Sequence, residues 1–177
     1  MHKDEILIIL KQNYGSFTDY ISVLSCENFL CQMQDKWTPG QQLRHLIQSV
    51  KPVRQITGLP KFLPVLIWGK ANRKSRSYEE LIYKYQEKLS GGGRAPSRFI
   101  PKKVTWDEKE ILIQSLNNEV KKLIKNMKSF SEEDLDRIIL PHPLLGKLTV
   151  REMLYFTSYH VLHHQTGIQK LLSDREQ

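Results

Sequence analysis

Near the C-terminal end of the chain, three histidines fall within five positions, in the run His160-Val161-Leu162-His163-His164. Residues four apart on an α-helix are separated by about 40° around the axis and roughly 6 Å along it, so His160 and His164 can offer their imidazoles to one ion. Chance supplies about 0.2 pairs at this spacing in a chain with six histidines, so the surrounding pattern has to decide. On a helical wheel, Met153, Phe156, Thr157, Gly167 and Leu171 fall close to His160, and the apolar stripe Val150, Val161 and Ile168 adjoins it. The pair therefore points inward. A buried imidazole has no water to bond and needs a hydrogen-bond partner or a metal to offset its desolvation. His163 lies about 60° to the side, at the polar boundary, as a contact behind the site or a surface residue.

A metal held by two residues of one helix needs a third ligand from another, and His45 is the candidate. It flanks the apolar stripe Leu43, Leu46, Ile47 and Val50, and Gln41, Gln42 and Ser49 lie about one turn away, as in a polar pocket wall beside a core. Taken alone, His45 reads as a half-exposed histidine on a helix flank. His142, between Pro141 and Pro143, sits in a loop that could form a pocket mouth. Three neutral imidazoles leave the ion its full charge and at least one open position, the pattern of a catalytic rather than a structural site. Zinc, nickel, copper and iron all suit such ligands.

The elements that must position these residues are helices. Ile6, Leu10, Tyr14, Phe17, Ile21 and Leu24 recur at spacings of three and four and predict a first amphipathic helix. Thr38-Pro39-Gly40-Gln41 is a capping box with proline at the first helical position, opening a second helix that runs toward Pro52. A third starts at Thr105 with Glu108 three residues on, burying Ile113, Leu116, Val120, Leu123 and Met127. Thr149 and Glu152 open the fourth in the same way, and Val150, Leu154, Val161, Ile168 and Leu172 form its apolar face. Between Pro52 and Thr105, prolines and the run Gly91–Gly93 mark an irregular crossover, with shorter helices expected over 62–70 and 77–89. No period-two alternation predicts a sheet. The expected architecture is all-α: an up-down four-helix bundle with a long crossover between the second and third main helices, forming one domain over residues 1–177.

The formal net charge of +8 is concentrated in that crossover, where residues 70–103 hold ten Lys or Arg against three Glu. One reading is a solvated connector. The other is an electropositive rim that draws in an acidic small molecule, with Arg94 and Arg98 flanking the glycine-rich turn as anion-binding candidates. No aromatic-interleaved RNA motif or DNA-reading helix accompanies the charge, which argues against nucleic acid. No apolar run approaches the length of a membrane span. Cys26 and Cys31 are spaced too widely for a CxxC pair, and the N-terminal stretch lacks signal-peptide grammar, so a reducing cytoplasm is expected.

The segments Trp37-Thr-Pro-Gly-Gln-Gln-Leu-Arg-His45-Leu46, His142-Pro-Leu-Leu-Gly-Lys-Leu-Thr149 and His160-Val-Leu-His-His164-Gln165 together resemble the DinB-like superfamily, and within it the YfiT-like branch. The segment Gly93-Arg-Ala-Pro96 resembles that branch as well. The resemblance implies a four-helix bundle, often a homodimer, with a three-histidine site for nickel or zinc. His45 matches the ligand from the second helix, and His160 and His164 match the pair from the fourth. Members of this superfamily include thiol-dependent S-transferases, thiol-dependent isomerases and metal-dependent hydrolases. The implied function is a metal-dependent enzyme that activates a small thiol or water as nucleophile. The alternative is a stress-related interaction protein with a structural or inherited site.

Overall fold

The computed structural model describes residues 1–175. Four long helices, α1 (Lys3–Ser22), α3 (Pro39–Thr57), α6 (Lys109–Met127) and α8 (Val150–Arg175), form the bundle. A short α2 (Cys26–Phe29) lies between the first two. The crossover carries α4 (Phe62–Trp68), α5 (Tyr78–Ser90) and single 3-10 turns at Ser97–Phe99 and Trp106–Glu108. After α6 come α7 (Glu132–Arg137) and a two-stranded antiparallel hairpin, β1 (Ile139–His142) and β2 (Gly146–Thr149).

Each main helix begins where a side chain can satisfy its free amides. Thr38 and Gln41 cap α3 reciprocally, Ser77 and Glu80 cap α5, and Thr105 and Glu108 cap the 3-10 turn that leads into α6. Thr149 and Glu152 exchange bonds of the same kind at the start of α8. Each such cap contributes about 1 kcal/mol. The C-terminus of α1 is stabilised from outside: the buried Lys109 ammonium donates to the carbonyls of Ser22 and Leu24 at 2.6 and 2.9 Å, placing a cation at the negative end of that helix.

In the core, the stripes of α1, α6 and α8 are buried as the periodicity predicts, joined by Leu43, Leu46, Val50 and Val53 of α3. Around the bundle α1 packs on α6 and α8, and α3 packs on the same two. Side-chain bonds give the helix directions. Asn13 reaches the Ser158 carbonyl and Arg175 reaches Asn28, so α1 and α8 run the same way. Arg44 pairs with Glu108 and Arg54 with Glu119, so α3 and α6 also run together. His45 meets His160 while Gln42 meets His164, so α3 opposes α8. The order is thus up, down, down, up, because the crossover carries the chain back along the bundle before α6 begins.

Two local expectations change. The helix expected to run toward Pro52 continues to Thr57, with Pro52 inside it. Proline forfeits its amide bond to the carbonyl four residues back, but Val50, Val53 and Thr57 are buried on both sides of it, and that packing outweighs the local preference. The second difference is the hairpin, where no strand was expected and His142 was placed in a loop. His142 is on β1, opposite Gly146, whose φ of 78° lies in the left-handed region that favours glycine. Its Nδ1 accepts the amide N–H groups of Leu144 and Leu145 at 3.2 and 3.0 Å, which pins the turn.

Candidate metal centre

Three imidazoles from two antiparallel helices meet in the interior. His45, on α3, is 5% exposed, and His160 and His164, one turn apart on α8, are 5% and 7% exposed. The His160 Nε2 lies 3.4 Å from the His45 Nε2 and 3.1 Å from the His164 Nε2. Two ligands about 2.05 Å from a tetrahedral ion stand roughly 3.3 Å apart, so these separations fit a common ion.

The opposite edges of two rings decide where their protons sit. His45 Nδ1 is 2.8 Å from the Phe99 carbonyl oxygen, which can only accept, so Nδ1 carries the proton and donates. The Phe99 carbonyl reaches it because the 3-10 turn at Ser97–Phe99 folds the end of the crossover against α3. His164 Nδ1 is 2.9 Å from Gln42 Oε1, and the Gln42 Nε2 in turn donates to the Trp37 carbonyl at 3.2 Å, which fixes the amide orientation. The Nε2 atoms of His45 and His164 are therefore lone pairs. Ser49 Oγ stands 3.5 Å from the His45 Nε2, but it donates to the His45 backbone carbonyl at 2.9 Å. Among three convergent nitrogens at most one proton is then available, from His160, and it cannot serve both neighbours well. A cation would satisfy all three.

Protonation offers no easy substitute. Burial drives the imidazoles of His160 and His164 well below the ordinary histidine value, and the neighbouring histidines add to the effect. Burial also lowers His45, although its bond to the Phe99 carbonyl works the other way. The cluster is neutral at pH 7, as metal ligation requires.

Aromatic rings wall the cluster. Trp37 packs on the His45 ring with centroids 4.9 Å apart, and Phe156 stacks on His160 at 4.8 Å. A cavity of about 540 Å³ opens beside His45 and His160 and also takes in His142, Arg94 and Arg98. Three residues weighed in the sequence thus join two ligand candidates around one space. His163 is half-buried, 5.8 Å from Tyr85 between ring centroids, and outside the group of converging nitrogens. Gln42 touches the site, whereas Gln41 is committed to the Thr38 cap.

Two features had no signal in the sequence. The Phe99 carbonyl is a backbone acceptor delivered from 54 residues away, which side-chain pattern cannot reveal. Glu152, read only as a cap, is also a buried anion, 0% exposed, held by Arg73 at 2.6 Å and Arg76 at 3.1 Å. Part of the basic excess is thereby spent on tying the crossover to α8. Burial raises the Glu152 carboxyl, but its bonds to Arg73 and to the Arg76 and Thr149 amides outweigh that and leave it below the usual range.

Fold and site together define a helical bundle with a buried three-histidine cluster able to bind a metal ion. The chain belongs to the DinB superfamily, whose family model matches residues 9–168 and so spans all three histidines. No curated protein matches the chain. No described helix is long and apolar enough to cross a membrane.

Proposed function

We propose that His45, His160 and His164 hold one divalent transition metal, zinc or nickel, and that the protein is a metal-dependent enzyme of the YfiT-like kind. In this reading it acts as an S-transferase or hydrolase on a small-molecule substrate, as a single-domain homodimer of the cytoplasm. When bound, the ion supplies Lewis acidity, which makes a small thiol or water a competent nucleophile at neutral pH. The observation that carries the reading is the proton count: three converging Nε2 atoms, two of them lone pairs because the Phe99 carbonyl and Gln42 hold the protons on the far edges.

The chain's own residues do the rest. Phe99 and Gln42 orient two rings, Phe156 and Trp37 keep water from their faces, and the adjoining cavity admits a substrate beside His45 and His160. Arg94 and Arg98 at that cavity are the proposed anion recruiters, the thiol's acidic groups being their partners. Among the described residues no carboxylate lines the cavity, so a general base of the Asp or Glu type is not part of the proposal.

The test is metal analysis of protein purified without chelator or nickel affinity resin, followed by turnover of thiol and electrophile pairs and of ester or amide substrates. One equivalent of metal with metal-dependent turnover is expected. Metal-free protein that neither takes up zinc or nickel nor turns over any pair would overturn the reading in favour of an interaction protein with an inherited site.

A further inference from the structure

The cavity beside the histidines has a one-sided chemistry. Its walls include Val53, Ile56, Trp68, Leu89, Leu144 and Phe156, and among the described residues its charged lining consists of Lys51, Arg94 and Arg98, with no Asp or Glu. All three cations are exposed, and none forms an ion pair with a described residue. The contrast lies in the same basic stretch, where Arg73 and Arg76 are paired with buried Glu152. Among the described residues, the unpaired lysines of the stretch, Lys70, Lys74, Lys84, Lys88, Lys102 and Lys103, lie off the cavity, whereas its two unpaired arginines, Arg94 and Arg98, join Lys51 of α3 at the mouth of an apolar chamber.

Deeper in, the polar groups are neutral. His142 has its Nδ1 occupied by two backbone amides, so its proton is on Nε2 and it offers a donor without a charge. Gln48, Ser49, Thr157 and the phenols of Tyr14 and Tyr85 are further neutral polar lining groups. Full negative charge on a ligand is therefore met at the mouth and nowhere else except at a metal. The volume, about 540 Å³, falls within the ~300–1,000 Å³ typical of small-molecule sites.

We infer that the cavity takes an amphiphilic organic anion: an apolar body against the Trp68, Leu144 and Phe156 wall, and one carboxylate at the mouth against Arg94 and Arg98. The inference rests on reading this cavity as the substrate site and deepens it by naming the ligand class. Apolar burial supplies affinity, and the planar guanidinium forks supply the choice of head group.

The experiment uses the full chain with excess EDTA and three probes built on an eight-carbon chain, octanoate, 1-octanol and octyltrimethylammonium, with binding followed calorimetrically at low salt. Octanoate should bind about tenfold more tightly than octanol, a modest figure for charge-assisted bonds at a solvated rim, and octyltrimethylammonium most weakly. The preference should shrink in 0.5 M salt. The double variant Arg94→Ala, Arg98→Ala should bind octanoate no better than octanol while its octanol affinity stays unchanged. Reversal, Arg94→Glu with Arg98→Glu, should make the ammonium probe the preferred one, which places the head group at this mouth. Both arginines are exposed, so circular dichroism should match wild type. Equal binding of octanoate and octanol by wild type, or a preference that survives the reversal, overturns the inference. Because metal is absent throughout, failure here leaves the histidine site standing, and failure of metal binding leaves this result standing.

Discussion

Replacing Gln42 by leucine removes the acceptor that holds His164 in its ligating tautomer without touching a proposed ligand. In the native arrangement the His164 Nδ1–H donates to Gln42 Oε1 at 2.9 Å in an interior where Gln42 is 8% exposed and His164 7%. After the substitution, ligation through Nε2 leaves that N–H buried and unpaired, at a cost of about 1–3 kcal/mol. The other tautomer avoids the cost only by placing the proton on the atom that would bind metal. Either route weakens binding by about 10- to 100-fold, the range found when the outer hydrogen-bond partner of a ligating histidine is lost. Gln42→Glu retains the acceptor for His164 but forfeits the donor to the Trp37 carbonyl, so it should bind metal more tightly than Gln42→Leu. Affinities for zinc and nickel are read by competition with a chromophoric chelator at pH 7.5, with circular dichroism confirming the fold. A folded Gln42→Leu protein that binds as tightly as wild type would refute the argument that the far edge of His164 sets its lone pair.

Substituting His160 or His164 by alanine should abolish stoichiometric metal uptake, whereas His163→Ala should change it little. Equal metal occupancy in wild type and His160→Ala, measured by mass spectrometry of elemental content, contradicts the ligand assignment. The metal-free protein should remain helical, since its core is built independently of the cluster, and added metal should raise the melting temperature only by selective binding to the native state; a random-coil spectrum after chelation would recast the site as structural. Stability of the metal-free protein should fall as pH drops from 6.5 toward 4. Burial pushes His142 down to about 4, so unfolding takes up a proton below 6.5, and this residue alone accounts for up to about 3 kcal/mol; urea titrations showing equal stability at pH 7.5 and 5 contradict it. Glu152→Gln should destabilise by about 2–3 kcal/mol, less than a fully enclosed pair because Arg73 and Arg76 keep 35% and 28% of their side-chain surface; an unchanged urea midpoint would deny the pair its role.

Local signals in the sequence were sufficient wherever one element settles its own conformation. The caps Thr38–Gln41, Ser77–Glu80 and Thr149–Glu152 stand where Thr or Ser precedes Glu or Gln by three, because both partners lie within one turn. The inward face of His160 and His164 was equally legible, since the wheel around them is apolar and buried. Signals failed where the deciding partner is remote. Pro52 stays helical because of what α3 packs against, and the hairpin strands are four residues each, too short for alternation to register. The free and the paired arginines of the crossover look identical in sequence. Only the placement of Glu152 at the start of α8 separates Arg73 and Arg76 from Arg94 and Arg98.

That separation also explains how a two-helix histidine cluster comes to depend on the most irregular part of the chain. The crossover must deliver the Phe99 carbonyl to within 2.8 Å of His45, yet it carries a surplus of like charges that favours an extended, solvated path. Three attachments oppose that tendency. Arg73 and Arg76 grip Glu152 at the root of α8, Ala71 donates its amide to the Arg137 carbonyl at 2.9 Å, and Ser75 bonds to Asp136 and Thr149. Farther along, Tyr85 packs edge-on against Phe156 at 5.1 Å, tying α5 to the residue that stacks on His160. The early part of the crossover is thus fixed to α7 and to the N-terminal half of α8, and the remaining span to Phe99 lines the cavity. Charge neutralised at Glu152 holds the segment down, and charge left unpaired at Arg94 and Arg98 faces the opening. One basic stretch thereby positions a backbone acceptor behind His45 and keeps two cations beside the space into which that histidine looks.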